Sequence, residues 1–388
     1  MLLFDLQALS ARQTDEVLHA VFCKAHGHEG DDDGIWAPHD NPLLARMVEL
    51  FTQRGLDRIA SVREELEGWL TGRLHAPGAI LPRPGSPDRI AWDERTMGLV
   101  RLYLRSLPPE AWTLDDHMLM VDWLQQRYLN PDDLRTEAQW LSDRASIMGR
   151  VQASMGASVT SAQAEHLLRA VPKVDPLAVW TWEPVQRQVA QFARARTAEA
   201  VTRVSDGMRA ALRQNIAAEV EQADLAGRPV WSTGLQTKLQ DTFALQNRDW
   251  RRVALTESAE ALNQGFVAAQ ARGQRLKRVE QYRGVCAWCA KIDGRIFEVT
   301  DPGDPDKDGD TQVWVGKTNV GRSVAPRKRV GDRLVEREPD ELYWAAAGTQ
   351  HPHCRGRWVP VITDQPGDDT DFGDWLRETL QGGGAARA

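Results

Sequence analysis

Two short motifs in the C-terminal third of the chain have the residue types and the spacing of a metal site. The first, CAWC, begins at Cys286 and ends at Cys289, and the second, HPHC, begins at His351 and ends at Cys354. Two thiolates separated by two residues can bind one cation, and a histidine and a cysteine with the same separation can supply two further ligands. The motifs therefore predict a closed shell of three cysteines and one histidine around a structural zinc ion, with no coordination position left for a catalytic water.

Other interpretations of these thiols are open. A C-x-x-C pair can be a redox pair, although no βαβ pattern precedes this one as it would in a thioredoxin-like protein. The thiols could also be reduced structural cysteines with a histidine nearby by chance. The fourth cysteine, Cys23, lies far from the others, and this sparse usage is unlike a disulfide framework. His353 is directly beside Cys354, and ligation through both would force a strained turn, so we expect His351 to be the ligand.

An acidic segment, DPDKDGD, has some features of a calcium-binding loop. Asp304, Asp306 and Asp308 stand at positions one, three and five of such a loop, and Asp310 follows. Position twelve, where an EF-hand has a bidentate glutamate, is Val315, and the flanking sequence is not helical. The segment therefore favours a solvated acidic turn over a calcium site.

The sequence around these motifs predicts helices first and strands last. Apolar residues recur at spacings of three and four, as one face of a helix requires, over residues 42–73, 91–107, 113–128, 132–170, 184–225, 233–244 and onward to Gly273. Three segments after Gly273, KRVEQYRG, GRIFEVT and TQVWVG, are short and rich in β-branched and aromatic residues, which is typical of strands. The expected fold is mainly α with a small C-terminal α+β zinc-binding domain.

Proline-rich and polar breaks divide the chain into five expected parts. With 388 residues the chain is longer than one hydrophobic core usually supports, so several folding units are expected. The parts are a flexible arm over 1–41, a helical domain over 42–170, a second helical region over 171–275, the zinc-binding domain over 276–362 and a tail over 363–388.

Composition narrows the class of partner. The formal net charge of −7 argues against a simple basic groove for nucleic acid, although a basic cluster survives between residues 322 and 333. No apolar run is long enough to cross a bilayer, and the first residues resemble no signal peptide. We therefore expect that the protein is made in the cytoplasm and does not associate with a membrane.

A polar motif precedes the strands, within the last predicted helix. Thr256, Glu257 and Asn263 lie on this helix together with Gly265, and Glu257 and Asn263 are about two turns apart. Side chains in this arrangement could attach the helix to the zinc-binding domain by hydrogen bonds. A catalytic role would need a base, a nucleophile or an open metal position beside Glu257, and the sequence indicates none, so no catalytic residue is expected.

The order of these motifs resembles a known family. The helix motif is followed by CAWC, by Asp293-Gly294 and by HPHC with Arg355, and this order over residues 185–362 is similar to that of tailed-phage minor head proteins of the phage Mu F type. The resemblance implies a non-enzymatic virion protein, made in the host cytoplasm and associated with the portal vertex or the head interior. Its implied partners are the portal protein, the major capsid or scaffold protein, and packaged DNA.

Two other function classes are alternatives to a head protein. One is a zinc-dependent hydrolase or nuclease, which would need a vacant coordination position and a carboxylate base. The other is a DNA-binding zinc module, in which the contacts would come from Arg322, Arg327, Lys328, Arg329 and Arg333.

Overall fold

The structure is a computed structural model that describes residues 41–85, 90–155, 166, 184–282 and 284–361. Of the expected N-terminal arm, only Asn41 is among the described residues, and the expected tail over 363–388 lies outside them. The expected domain boundary between 171 and 183 also lies outside them. Of the helix predicted over 132–170, residues 156–170 lie outside them except for residue 166.

In the described part of the chain, helices α1 to α6 precede the first strand. Their bounds are Pro42–Leu70, Glu94–Ser106, Leu114–Tyr128, Pro131–Met155, Pro184–Ala226 and Thr233–Ala268. The last of these is one continuous helix, where the sequence predicted two, because no proline or glycine interrupts it between Gly234 and Gly265. It ends at Ala268 and not at Gly273, which instead adopts a φ of 84° in the turn before the first strand.

The starts of the two short helices are determined by local capping. Asp93 precedes α2, and its Oδ1 atom accepts a hydrogen bond from the Thr96 backbone N–H at 2.7 Å. Thr113 and Asp116 form a reciprocal capping box at the start of α3, which satisfies backbone donors that have no partner within the helix.

The contact pattern divides the chain into two compact units. Among the described residues, the first unit comprises 51–137 and 198–251, and the second comprises 41–50, 138–155, 184–197 and 252–361. Helices α1, α4, α5 and α6 each contribute residues to both units, so the units are not consecutive segments of the chain. The linear division expected from the sequence stays a prediction.

Aromatic packing forms the core of the first unit. Trp250 stacks on Phe51 with ring centroids 5.5 Å apart, and its indole N–H donates to the Phe51 carbonyl at 3.2 Å. The ring occupies the space above Gly55, where an added Cβ would come within 1.8 Å of the indole nitrogen. Trp69 is also buried and donates to Nδ1 of His117 at 3.1 Å. This unit is therefore held by apolar burial and satisfied polar atoms.

Within the second unit, α4 and α6 cross closely at two glycines. A Cβ on Gly149 would lie 1.9 Å from the Leu262 carbonyl oxygen, and one on Gly265 would lie 2.1 Å from that of Ser146. Only glycine, which has no Cβ, allows the two backbones to lie this close together. The close crossing gives Gly265, a residue of the helix motif, a structural role.

The C-terminal part of the second unit contains two small sheets. The strands are β1 (Arg275–Val279), β2 (Ile296–Val299), β3 (Gln312–Val313), β4 (Arg327–Val330), β5 (Arg333–Glu336) and β6 (Arg357–Pro360), and helix α7 (Ala287–Ile292) lies between β1 and β2. The larger sheet has the order β3-β2-β1-β6, with β1 antiparallel to both neighbours and β2 parallel to β3. The hairpin of β4 and β5 and the strand β6 are additional to the three strands expected.

A compact apolar cluster joins the larger sheet to α6. Phe266 and Val267 of the helix pack with Leu276, Phe297 and Trp358 of the sheet. The chain is thus mainly helical with a small sheet-containing C-terminal region, which confirms the coarse fold class expected from the sequence.

Candidate metal centre

Three of the four predicted ligands meet at the start of α7. The Nε2 atom of His351 lies 3.2 Å from Sγ of Cys286 and 3.1 Å from Sγ of Cys289. Cys286 is the N-cap of α7, and its sulfur accepts the Cys289 backbone N–H at 3.4 Å, so the helix start sets the direction of both thiols. The three ligand atoms lie within 4.8 Å of one another and could hold a metal ion.

The histidine ring is oriented through its second nitrogen. Nδ1 of His351 lies 2.7 Å from the carbonyl oxygen of Pro352. A proton on Nδ1 donates to that carbonyl and leaves the Nε2 lone pair directed at the thiols, which is the arrangement usual for a metal-bound imidazole.

The fourth predicted ligand belongs to an overlapping group. Sγ of Cys354 is grouped with Cys289 and Glu280, again with all ligand atoms within 4.8 Å, and lies 3.7 Å from both carboxylate oxygens of Glu280. Arg278 donates to the same sulfur at 3.5 Å. Cys289 therefore belongs to both groups, and the described cysteines are all free thiols.

The electrostatics of the group formed by Glu280, Cys289 and Cys354 favour a thiolate at Cys354. Burial opposes its ionisation, but contacts with Cys289 and the Arg278 guanidinium hold the pKa of this thiol well below its usual range. The pKa of Cys289 is raised, because this thiol is hydrogen-bonded to Cys354 and because it is buried. Burial also raises the pKa of Glu280 to about 7, although the pairing with Arg278 opposes this shift. Thiolates are the form in which cysteine binds metals.

Sequence reasoning missed Arg278 and Glu280. The Arg278 Nε atom pairs with Glu280 Oε1 at 2.6 Å, and both side chains are fully buried. In β1, Arg275 and Lys277 are exposed while Leu276 and Arg278 are buried. The strand period of two was a usable signal, because it places alternate residues after Leu276 on the inner face.

Helix α6 contacts the segment that carries the last two candidate ligands, residues 349–356, called here the metal loop. The His353 backbone N–H donates to Thr256 Oγ1 at 3.2 Å, and Asn263 Nδ2 donates to the Gly356 carbonyl oxygen at 2.9 Å. Among the described residues other than glycine, His353 alone has a positive φ, 68°, and its ring is outside both ligand groups.

Glu257 has a different role from its neighbours in the helix motif. Its Oε2 atom lies 3.2 Å from Arg196 Nε and 3.5 Å from Thr197 Oγ1, so its contacts are with α5 and not with the metal loop. Burial, with a smaller contribution from the charge of Glu260, raises the pKa of Glu257 to about 7, while Arg196 opposes the shift.

The remaining motif residues shape the turns around the centre. Asp293 caps the end of α7, and its Oδ1 atom accepts the Glu280 backbone N–H at 2.8 Å. Gly294 has a φ of 75° and completes the turn that leads into β2. Arg355 is buried, which lowers its pKa, and its guanidinium lies 5.6 Å from the centre of the Tyr282 ring.

The carboxylates of the acidic segment accept hydrogen bonds from backbone N–H groups of the same segment. Asp304 accepts from the Asp306 backbone N–H at 3.1 Å and pairs with Arg272 at 2.9 Å. Asp308 accepts from the Asp310 backbone N–H at 2.9 Å. The convergent ligand groups found among the described residues do not include these aspartates.

A lysine binds the carbonyl oxygens of the same segment. The Lys317 ammonium donates to the carbonyls of Gly309 and Gln312, each at 2.7 Å, and lies 4.7 and 5.0 Å from the rings of Trp314 and Trp344. Burial lowers the pKa of Lys317 to about 7, and the nearby carboxylates oppose this shift. A side-chain cation therefore lies where oxygen ligands converge in this segment.

The basic residues that a DNA-binding module would use are partly engaged in contacts within the chain. Arg322 donates to the Leu342 carbonyl at 2.8 Å and stacks on Trp344, Arg327 pairs with Glu336 at 3.9 Å, and Lys328 pairs with Glu341 at 2.5 Å. Arg329 and Arg333 are exposed on the β4–β5 hairpin. These internal pairs reduce the positive charge that the cluster could offer to a phosphate backbone.

Comparison of the chain with protein-family models, with curated proteins and with solved structures found no significant match. The resemblance to minor head proteins thus rests on the motif residues alone. Among the described residues, no helix combines the length and the hydropathy that crossing a bilayer would need.

Proposed function

We propose that this chain is a non-enzymatic minor head protein of the phage Mu F type, whose C-terminal region holds one structural zinc ion. The observation that carries the proposal is the convergence of Cys286, Cys289 and His351, with Cys354 beside them. These residues come from the two motifs whose order resembles that family.

Zinc is the metal that suits this donor set. Thiolate and imidazole ligands favour zinc over the harder cations, which prefer carboxylate and carbonyl oxygens. The site also lies in a region with a small apolar cluster and with buried charges, Arg278 and Glu280 among them. A metal that links α7 to the metal loop would stabilise such a region, and structural zinc contributes roughly 10 kcal/mol in zinc-finger peptides.

A hydrolase or nuclease would need an open coordination position and a free base. The Glu280 carboxylate lies 3.7 Å from Cys354 Sγ, and it is fully buried and paired with Arg278 at 2.6 Å. This pairing supports a structural role over a catalytic one, because a base must be able to reach a metal-bound water.

Metal content measured by plasma mass spectrometry tests the zinc proposal. We expect close to one zinc per chain in the wild-type protein, and loss of that zinc in Cys286→Ser and in His351→Ala. His353→Asn is the matched control, because it changes a histidine of the same loop outside the ligand groups and asparagine tolerates a positive φ. Wild-type protein without metal, after purification under reducing conditions with zinc present, would overturn the proposal.

Cobalt substitution tests the role of Cys354. Charge-transfer absorption from thiolate to cobalt grows with the number of bound thiolates, so Cys354→Ser should remove roughly a third of it if three thiolates bind. An unchanged spectrum would leave a fourth position open and would favour the hydrolase alternative.

The assignment to a phage head is tested on particles. If the proposal is correct, mass spectrometry of purified virions from a phage that encodes this chain will detect it as a minor component. Its partners, the portal protein and the major capsid or scaffold protein, are then identified by chemical cross-linking within those particles. Absence from the virion would contradict the assignment and leave the metal centre unaffected.

A further inference from the structure

Glu260 on α6 makes a two-point polar contact with the metal loop. Its Oε2 atom accepts the Thr349 backbone N–H at 2.6 Å and the Thr349 hydroxyl at 2.8 Å. The side chain is buried, and a Cβ added at Gly348 would lie 2.1 Å from the same oxygen. The loop backbone is therefore packed directly against a buried carboxylate.

The Glu260 carboxylate also contacts an arginine and a glutamine outside the metal loop. Arg196 of α5 lies 3.6 Å from Glu260 Oε2, and Gln264 donates to Oε1 at 3.1 Å. Arg196 also pairs with Glu257 at 3.2 Å. A buried carboxylate is tolerated when it is paired and hydrogen-bonded in this way, so Glu260 can be a fixed anchor for the loop.

Three residues of α6 hold the loop on both sides of each ligand. Thr256, Glu260 and Asn263 are spaced by four and three residues and lie on one helix face. Their contacts are at loop positions 353, 349 and 356, respectively. His351 and Cys354 therefore each lie between two anchored positions.

We propose that Glu260 is a positioning residue for the metal centre. It holds the metal loop in the binding conformation before the ion arrives, and so it determines how tightly and for how long the ion is held. The inference rests on the zinc site proposed above. Its physical basis is preorganisation, because a loop that is already ordered loses less conformational entropy when its ligands bind.

Glu257 provides a matched control for this role. It lies on the same helix, is buried to a similar extent and pairs with the same arginine, while its described contacts are with Arg196 and Thr197 of α5. A change at Glu257 therefore disturbs the buried charge pair without removing a hydrogen bond to the metal loop.

The experiment compares zinc affinity and zinc release in Glu260→Gln, Glu257→Gln and Thr349→Val. Affinity is measured by competition with a chromophoric chelator, release by transfer of zinc to excess chelator, and apo-protein stability by chemical denaturation. Mutation of a residue that orients a metal ligand typically weakens metal affinity 10- to 100-fold. We therefore expect Glu260→Gln to weaken zinc binding about tenfold or more and to speed zinc release. Thr349→Val should weaken it less, and Glu257→Gln should bind zinc as the wild type does.

Equal zinc affinity and release in wild type, Glu260→Gln and Thr349→Val would overturn the positioning role. So would equal losses in Glu260→Gln and Glu257→Gln, because these would show a general effect of the buried charges on folding. If Glu260→Gln does not fold, Thr349→Val decides, since it leaves the pair with Arg196 intact. Wild-type protein that binds no zinc would overturn the proposed zinc site itself. This outcome is distinct from equal zinc binding by the wild type and the variants, which would overturn only the positioning role of Glu260.

Discussion

The first unit and the C-terminal sheet region solve the problem of stability in different ways. The first unit buries large aromatic side chains, Trp250 and Trp69 among them, and satisfies their polar atoms with nearby acceptors. The sheet region has a small apolar cluster and buries the charged groups of Arg278, Glu280 and Lys317 beside it. Aromatic burial and paired charges stabilise the first, whereas the second places a buried Arg278–Glu280 pair beside ligand atoms that could hold a metal ion.

Removal of the proposed zinc ion should produce the largest difference in stability between the two regions. Chelation of zinc, or Cys286→Ser, should destabilise the sheet region by several kcal/mol, because structural zinc contributes roughly 10 kcal/mol in small peptides. Hydrogen exchange followed by mass spectrometry should show faster exchange in peptides from residues 275–361 and unchanged exchange in those from 51–137. Equal acceleration in both would contradict the comparison.

The reverse perturbation removes the aromatic centre of the first unit. Trp250→Ala should lower the free energy of unfolding by about 3–5 kcal/mol, since it leaves a cavity beside Phe51 and Gly55. Chemical denaturation measures this loss, and metal analysis should find the zinc content unchanged. A drop in zinc content would show that the two regions are not independent.

The helix crossing in the second unit tests whether packing there is as strict as in the first. Gly265→Ala and Gly149→Ala each place a Cβ within about 2 Å of a backbone carbonyl, which should destabilise the protein by roughly 1–3 kcal/mol. Gly98→Ala is the control, because its Cβ meets nothing within 4 Å on an exposed face of α2 and should stabilise the helix by about 0.5–1 kcal/mol. Equal effects on the melting temperature in all three variants would argue against a close crossing.

The buried charge at Glu257 should make stability depend on pH. Its pKa is raised from 4.5 to about 7 in the folded chain, mainly by burial. The stabilisation is fully present below pH 4.5 and is lost as pH rises through about 7, because the unfolded chain ionises first. The shift corresponds to roughly 3 kcal/mol at most.

Denaturation at pH 5 and pH 8 measures this effect. Glu257→Gln cannot ionise, so its unfolding free energy should change less between the two values than that of the wild type. A wild type and variant with the same pH dependence would show that Glu257 is charged throughout.

Local patterns were enough to predict much of this molecule. The spacing of apolar residues indicated helices close to those observed for α1, α2 and α3, since one helix face repeats every three to four residues. The paired spacing of Cys286 with Cys289 and of His351 with Cys354 indicated a cluster that the structure brings together. The β4–β5 hairpin was missed, because its strands are short and exposed and have no clear alternation of apolar residues.

Taken by itself, the sequence determined the helical body, the strand-rich end and the four candidate ligands, because each depends on the identity and spacing of neighbours along the chain. Only the tertiary structure decided that Arg278 and Glu280 lie against Cys354, and that Glu260 anchors the metal loop. It also directed Glu257 toward α5 and required Gly265 at a helix crossing. These contacts join residues far apart in sequence, and the packing of whole elements determines which of them meet.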